Sequence, residues 1–205
     1  MRALVALTLL AACGGAASPP PGAPAARAPL PLPPATPGGE SCGAEVEAAP
    51  PGNHDRFAWE APDGRYGYKD AAGATVIAPR FGFAYEFGAA GLAAAVEAPA
   101  TPDGTARFVF IDPTGAVLAQ AYAFDNGPDY FQEGLARIVG ADGRVGFIDR
   151  GGAVVIAPQF VGATSFCHGE AMVHDGQTQW TIDRAGAAIG ARTPYVPADD
   201  PCGEP

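Results

Sequence analysis

The sequence predicts an all-β domain built as an array of short β-hairpin repeats. Three observations predict it. An Asp-x-x-Gly pattern recurs at Asp70 and Gly73, Asp112 and Gly115, Asp149 and Gly152, and Asp183 and Gly186. Short aromatic and β-branched runs flank each copy, such as Tyr66-Gly67-Tyr68 and Val76-Ile77, or Phe147-Ile148 and Val155-Ile156. The aspartates stand 42, 37 and 34 residues apart, the period of a repeat architecture. One such unit cannot bury its own apolar face, so neighbours must stack.

The elements follow in order. Phe57-Ala58-Trp59-Glu60 predicts a strand, Ala61-Pro62-Asp63-Gly64 a turn, and Arg65-Tyr66-Gly67-Tyr68-Lys69 the returning strand. An Asp-Gly between aromatic-rich runs is a strong hairpin signal. Three units come next, Tyr66 to Val96, Phe108 to Val139 and Val145 to Val173, and a fourth starts at Gln179 and fades by Ile189. In each, Asp-x-x-Gly suits a type I turn closed by a left-handed residue, with the aspartate oxygen accepting backbone N–H groups. The four turn aspartates and their glycines are therefore read as structural. Ala-Pro at 78–79 and 157–158 is expected to stop the second strand, because proline cannot continue a hydrogen-bonded ladder. Aromatics recur at Phe81, Tyr122 and Phe160 and again at Phe87, Phe131 and Phe166. Each unit closes on Gly91-Leu92-Ala93, Gly134-Leu135-Ala136 or Gly169-Glu170-Ala171.

These residues resemble the bacterial WG-repeat family, whose unit runs Trp-Gly-aromatic-Ile-Asp, then Gly, Val-Ile, Pro, an aromatic, and later Phe and Gly-Leu-Ala. The resemblance covers residues 57 to 190 and about three and a half units. The signature tryptophan is replaced by Tyr66, Phe108, Val145 and Gln179, and the second and fourth units lack the glycine that follows it. The resemblance implies an all-β, non-catalytic interaction module with no particular ligand. An open, curved, solenoid-like array is favoured over a closed propeller or barrel. Phe57–Glu60 and the faded fourth unit supply the caps that an open array needs.

The N-terminus carries a different message. Met1-Arg2 is followed by the apolar run ALVALTLLAAC, too short to span a bilayer as a helix. Leu10-Ala11-Ala12-Cys13 resembles a bacterial lipobox, which implies a signal peptide at 1–12 and lipidation of Cys13. Acylation with two or more chains anchors a protein stably. Gly14 rather than Asp after the cysteine favours the outer over the inner membrane, by resemblance to Gram-negative sorting. Residues 13–52 are read as the lipidated cysteine and a disordered Pro/Ala/Gly-rich linker. They have no periodic apolar face, and polyproline II at ~3.1 Å per residue would let residues 14–40 reach ~80 Å. The β-repeat domain is set at 53–190 and a C-terminal tail at 191–205.

The chain has 12 Lys+Arg against 22 Asp+Glu, and one lysine, Lys69. An acidic chain without a basic cluster argues against nucleic acid as a partner. Cys42, Cys167 and Cys202 remain after lipidation in a compartment that permits disulfides. Cys42 with Cys202 would clasp the ends of the array; Cys167 with Cys202 is the alternative. Cys167-His168 with His174-Asp175 is the one cluster with ligand chemistry, since Cys and His suit zinc. It lacks a second close ligand pair and a catalytic partner, so no metal, cofactor or catalytic residue is assigned. Two readings of function stand. In the first, the chain is a lipid-anchored envelope binding module that captures a protein or envelope partner, with Ala98 to Ala106 and Phe124 to Tyr130 as candidate contacts. In the second it is a structural spacer without a discrete ligand, and an enzyme or metal protein is a distant third.

Overall fold

The computed structural model describes residues 27–38, 54–98 and 105–197. Cys13, Cys42, Cys202 and most of the 98–106 loop lie outside them. Among the described residues every regular element is a strand, and pairing is antiparallel throughout.

The chain is a meander. β1 (Phe57–Glu60) and β2 (Tyr66–Lys69) make the entry hairpin, and β3 (Thr75–Ala84) and β4 (Ala93–Glu97) complete the first unit. The second unit holds β5 (Arg107–Ile111), β6 (Val117–Ala121), the short β7 (Ala123–Phe124) and β8 (Gly127–Pro128), and β9 (Leu135–Val139). The third holds β10 (Val145–Asp149), β11 (Val154–Phe160), β12 (Gly162–Ala163) and β13 (Glu170–His174). β14 (Thr178–Asp183) and β15 (Ala188–Pro194) end the array. The last strand runs four residues past the boundary at 190 expected from the fading fourth unit, because Thr193 and Pro194 pair with Gln179 and Thr178.

Strand order is β1-β2-β3-β4-β5-β6-β9-β10-β11 in one sheet and β12-β13-β14-β15 in a second. Neither sheet closes into a barrel, so the array is open as expected. β1 and β15 are its edges, and every residue of β15 is exposed. Each unit turns on one long, bent strand. In the first, the start of β3 pairs with β2 and its end with β4. In the third, the same strand is broken at Val161 into β11 on β10 and β12 on β13.

Pro79 and Pro158 do not end these strands, contrary to the expectation. β3 and β11 run through both. Register explains it. Tyr66 pairs with Phe81 but Tyr68 with Ile77, and Val145 pairs with Phe160 but Phe147 with Ile156. Two extra residues bulge out in each case, and the proline sits in the bulge, where no ladder N–H is required. The bulge presses on the glycine opposite. A Cβ on Gly67 would lie 2.5 Å from the Ile77 carbonyl oxygen; one on Gly146 would lie 2.5 Å from both the Ile156 oxygen and the Pro158 nitrogen. The glycine after the aromatic position is therefore required by close backbone approach.

Three consecutive clusters form the core. Tyr68, Phe81, Phe87 and Ile111 gather in the first. Leu92, Phe110, Ile138 and Ile148 gather in the second, and Phe147, Phe160, Phe166 and Trp180 in the third. Each draws residues from two or three successive units, which is why one unit cannot stand alone. Burying each large apolar side chain contributes ~1.5–3 kcal/mol. Tyr68 also donates to the Tyr85 carbonyl oxygen at 2.7 Å, and burial, then the Glu86 charge, pushes its phenol up.

The topology sorts the turns onto two edges. Ala93 pairs with Ile111 and Leu135 with Asp149, so the Asp-x-x-Gly turns and the closing glycine turns share one edge. Glu97 pairs with Arg107 and Val139 with Val145 at the other.

Candidate functional site

The shared turn edge is occupied by the chain itself. Residues 27–38, Arg-Ala-Pro-Leu-Pro-Leu-Pro-Pro-Ala-Thr-Pro-Gly, lie along it without regular secondary structure. The expectation of a disordered linker over 13–52 is thereby corrected for these twelve residues. A proline-rich segment cannot fold on its own, but it can lie on a neighbour. Its prolines limit the conformational entropy lost on docking, and they bring no N–H group that needs a partner.

The contacts are made residue by residue. Arg27 donates to Asp112 Oδ2 at 2.9 Å and to the Gly151 carbonyl oxygen at 3.0 Å. The Leu30 N–H donates to Asp149 Oδ2 at 2.6 Å. Leu32 packs against the third core cluster. Pro33 lies over Gly134 and its carbonyl oxygen accepts from Arg184. The Thr36 N–H donates to Glu133 Oε1 at 2.6 Å, and the Thr36 carbonyl oxygen lies 3.0 Å from His168 Nδ1.

The turn aspartates thus do two jobs. In Asp149, Oδ1 accepts the Gly151 and Ala153 N–H groups inside the turn, each at 2.9 Å, while Oδ2 faces outward to Leu30. Asp112 divides its oxygens the same way. Oδ1 takes the Thr114 and Ala116 N–H groups and the Thr114 hydroxyl, and Oδ2 takes Arg27. Asp183 accepts Ala185 and Ala187 N–H groups, and Asp70 accepts that of Ala74. In all four turns an aspartate oxygen accepts backbone N–H groups from within the turn, and for Asp112 and Asp149 a second oxygen also faces the 27–38 strap. Gly73, Gly115, Gly152 and Gly186 all have φ between 82° and 87°, the left-handed conformation expected of them.

Sequence reasoning missed Glu133, and it weighed His168 only as part of the Cys167–His174 cluster. They occupy the same place in successive repeats, immediately before the glycine of the closing turn, and both adopt positive φ, 50° and 55°. Their side chains grip the two backbone polar groups of one residue, Thr36. Glu133 is 2% exposed, and its second oxygen accepts the Gly169 N–H at 2.9 Å. The signal available beforehand was a large polar residue at a left-handed turn position, where Ala90 stands in the first unit.

Burial opposes ionisation of Asp112. Hydrogen bonds from Thr114 and Ala116 and the Arg27 charge outweigh it and hold the carboxyl below its ordinary 3.8. At the opposite edge the Thr178 and Gln177 N–H groups pull Asp175 down to about 2. Both carboxyls are depressed in the folded state, so their stabilisation is present above ~4 and is lost as pH falls through their folded values. Thermal melts from pH 5 to 2 are expected to show the loss. Arg27→Ala is expected to move the Asp112 titration upward in carboxyl-detected NMR and to leave Asp175 unchanged.

The Cys167–His174 cluster does not converge. His168 sits on the strap edge, and His174 lies at the far end of β13, roughly 13 Å along the strand. The His174 ring stacks on Tyr195 at 3.8 Å. Among the described residues no group of three or more His, Cys, Asp or Glu could hold a metal ion. Cys167 is disulfide-bonded, to a partner outside the described residues. Of the two pairings expected from sequence, only Cys167 with Cys202 uses it. Peptide mapping after non-reducing digestion identifies that partner: recovery with Cys202 would bear out the expected pairing, and recovery with any other cysteine would refute it.

The second candidate contact, Phe124 to Tyr130, is a hairpin tip at the other edge. Asp125 and Asn126 adopt positive φ in its turn, and Phe124 and Tyr130 are exposed and edge-to-face at 6.2 Å. A surface pocket of about 630 Å³ opens beside it, lined by Arg107, Phe108, Gln120 and Phe124 among others.

The family model for the WG containing repeat matches residues 66–97 and 146–171. The chain is a WG-repeat protein. The two matched segments begin at or beside Gly67 and Gly146, the glycines against which Pro79 and Pro158 bulge. Val109 and Trp180 stand there in the unmatched units. WG repeats in this chain are thus recognisable where the glycine–proline bulge is intact. No curated protein and no solved structure matches the chain significantly.

Proposed function

We propose that this WG-repeat protein is a lipid-anchored component of the bacterial cell envelope whose array is a non-catalytic binding module. The turn edge carries the reading: it already holds an extended segment through side-chain contacts to that segment's backbone. Its carboxylates accept N–H groups, which is recognition chemistry rather than proton transfer. The anchor rests on Leu10-Ala11-Ala12-Cys13 behind the apolar run. The outer membrane is favoured over the inner by Gly14.

The spacer reading loses ground on one observation. Half of the proline-rich stretch is spent on the array itself. Residues 14–26 then separate Cys13 from the strap, a reach of ~40 Å even as polyproline II, against ~80 Å for the whole linker.

Cross-linking in intact cells tests the binding role. One dominant protein or envelope partner is expected, and absence of any partner at every linker length would return the chain to a spacer. Palmitate labelling tests the anchor, and label that persists in Cys13→Ser would remove it.

A further inference from the structure

We propose that residues 27–38 are a displaceable resident of the turn edge, and that the edge takes an extended, proline-rich, cationic peptide segment from another chain. This rests on the binding-module reading and names the ligand class of that same site.

The strap is seated on the surface rather than built into the core. Not one of residues 27–38 is buried, and Leu30 is 41% exposed. Only Leu32 is packed against a core cluster, and it is itself half-buried. Removing the strap therefore uncovers an edge without opening the interior. It forms no β-ladder with any strand. The array reads it through side chains reaching backbone groups, so any chain with the same spacing of groups offers the same contacts.

That spacing defines the ligand. A guanidinium pairs with the outward oxygen of one turn aspartate. Three residues on, a backbone N–H meets the next turn aspartate. Six residues further, one residue presents both its N–H and its carbonyl oxygen, to Glu133 and His168. Between them the floor is glycine. A Cβ on Gly151 would come within 2.8 Å of Leu30 and one on Gly134 within 2.6 Å of Pro33, so the floor fits an apolar residue followed by proline. Three carboxylates on the edge and an overall charge of −10 favour a cationic occupant.

A tethered segment faces its site at an effective concentration in the mM range, so a free peptide with identical contacts competes poorly until the strap is weakened. The test uses the full chain with Leu30→Pro and Thr36→Pro, which remove the two N–H donors and keep the extended backbone. The probe is a fluorescent peptide of residues 27–38, read by anisotropy. It is expected to bind this variant saturably and at least tenfold more tightly than the unaltered chain. The same peptide carrying the two proline substitutions should not bind. If the peptide fails to bind the variant at 1 mM (about a thousandth of the standard concentration) while the Leu30 and Thr36 amides of the unaltered chain are protected from exchange, displacement is refuted and the edge reading survives. If those amides are unprotected, the edge reading itself fails. Equal binding to both chains places the peptide elsewhere, and an unfolded variant makes the strap part of the fold; either overturns the proposal.

Discussion

Gly146→Ala is expected to destabilise the domain by about 3 kcal/mol, at the upper end of the cost of forcing an extra carbon into a packed site. The added Cβ would meet two backbone atoms at 2.5 Å, the Ile156 oxygen and the Pro158 nitrogen. Neither can swing away as a side-chain tip would. The only relief is to spread β10 from β11, which strips packing from Phe147 and Phe160 in the third core cluster. A domain of this size has ~5–15 kcal/mol in hand, so the loss is a large fraction of its stability. Urea denaturation should show a lower midpoint with little change in slope. Gly143→Ala is the control. Its φ is +79° and nothing lies within 4 Å of a Cβ, so backbone strain acts there without a clash and the cost should be nearer 1 kcal/mol. Equal costs at the two sites would refute the close-approach account.

Arg137→Ala is expected to cost a further ~3–5 kcal/mol, because it leaves a buried carboxylate without its partner. Arg137 and Asp129 are 7% and 5% exposed. Arg137 Nε donates to Asp129 Oδ2 at 2.9 Å and its second terminal nitrogen to Oδ1 at 2.7 Å, a two-point fork. The Arg137 backbone N–H also donates to Oδ2, and the guanidinium donates to the Ala163 carbonyl oxygen in the next unit. The guanidinium lies 4.3 Å from the Tyr122 ring centre. One pair thus fastens the β7–β8 tip to β9 and to the third repeat. The companion experiment is Arg137→Met with Asp129→Leu. Replacing both partners removes the stranded charge, and the double variant should recover most of the lost midpoint.

The repeat chemistry was readable in the sequence because it is local. An aspartate three residues before a glycine closes its own turn, and the recurrence of that pattern set the register of every unit. The core aromatics Phe81, Phe87, Phe160 and Phe166 followed from the same alignment and are all buried. What the sequence hid was tertiary. Pro79 and Pro158 read as strand stops because the bulge that absorbs them forms only against Gly67 and Gly146. Residues 27–38 read as unstructured because composition reports whether a segment can make its own core, and is silent on whether it can use another's edge. The roles of Glu133 and His168 were hidden for the same reason: their partner is Thr36, 97 and 132 residues away. Of the candidate site, the inward oxygens of the turn aspartates were legible and the outward ones were not.

The turn edge of the WG repeats holds an extended peptide through its outward carboxylates. Amide hydrogen exchange, followed by NMR on the full chain, tests it most directly. The Leu30 and Thr36 N–H groups are predicted to exchange at least tenfold more slowly than in the free peptide of residues 27–38, and each should lose protection when the other is replaced by proline. Exchange of both at the free-peptide rate would mean that the edge does not hold the segment.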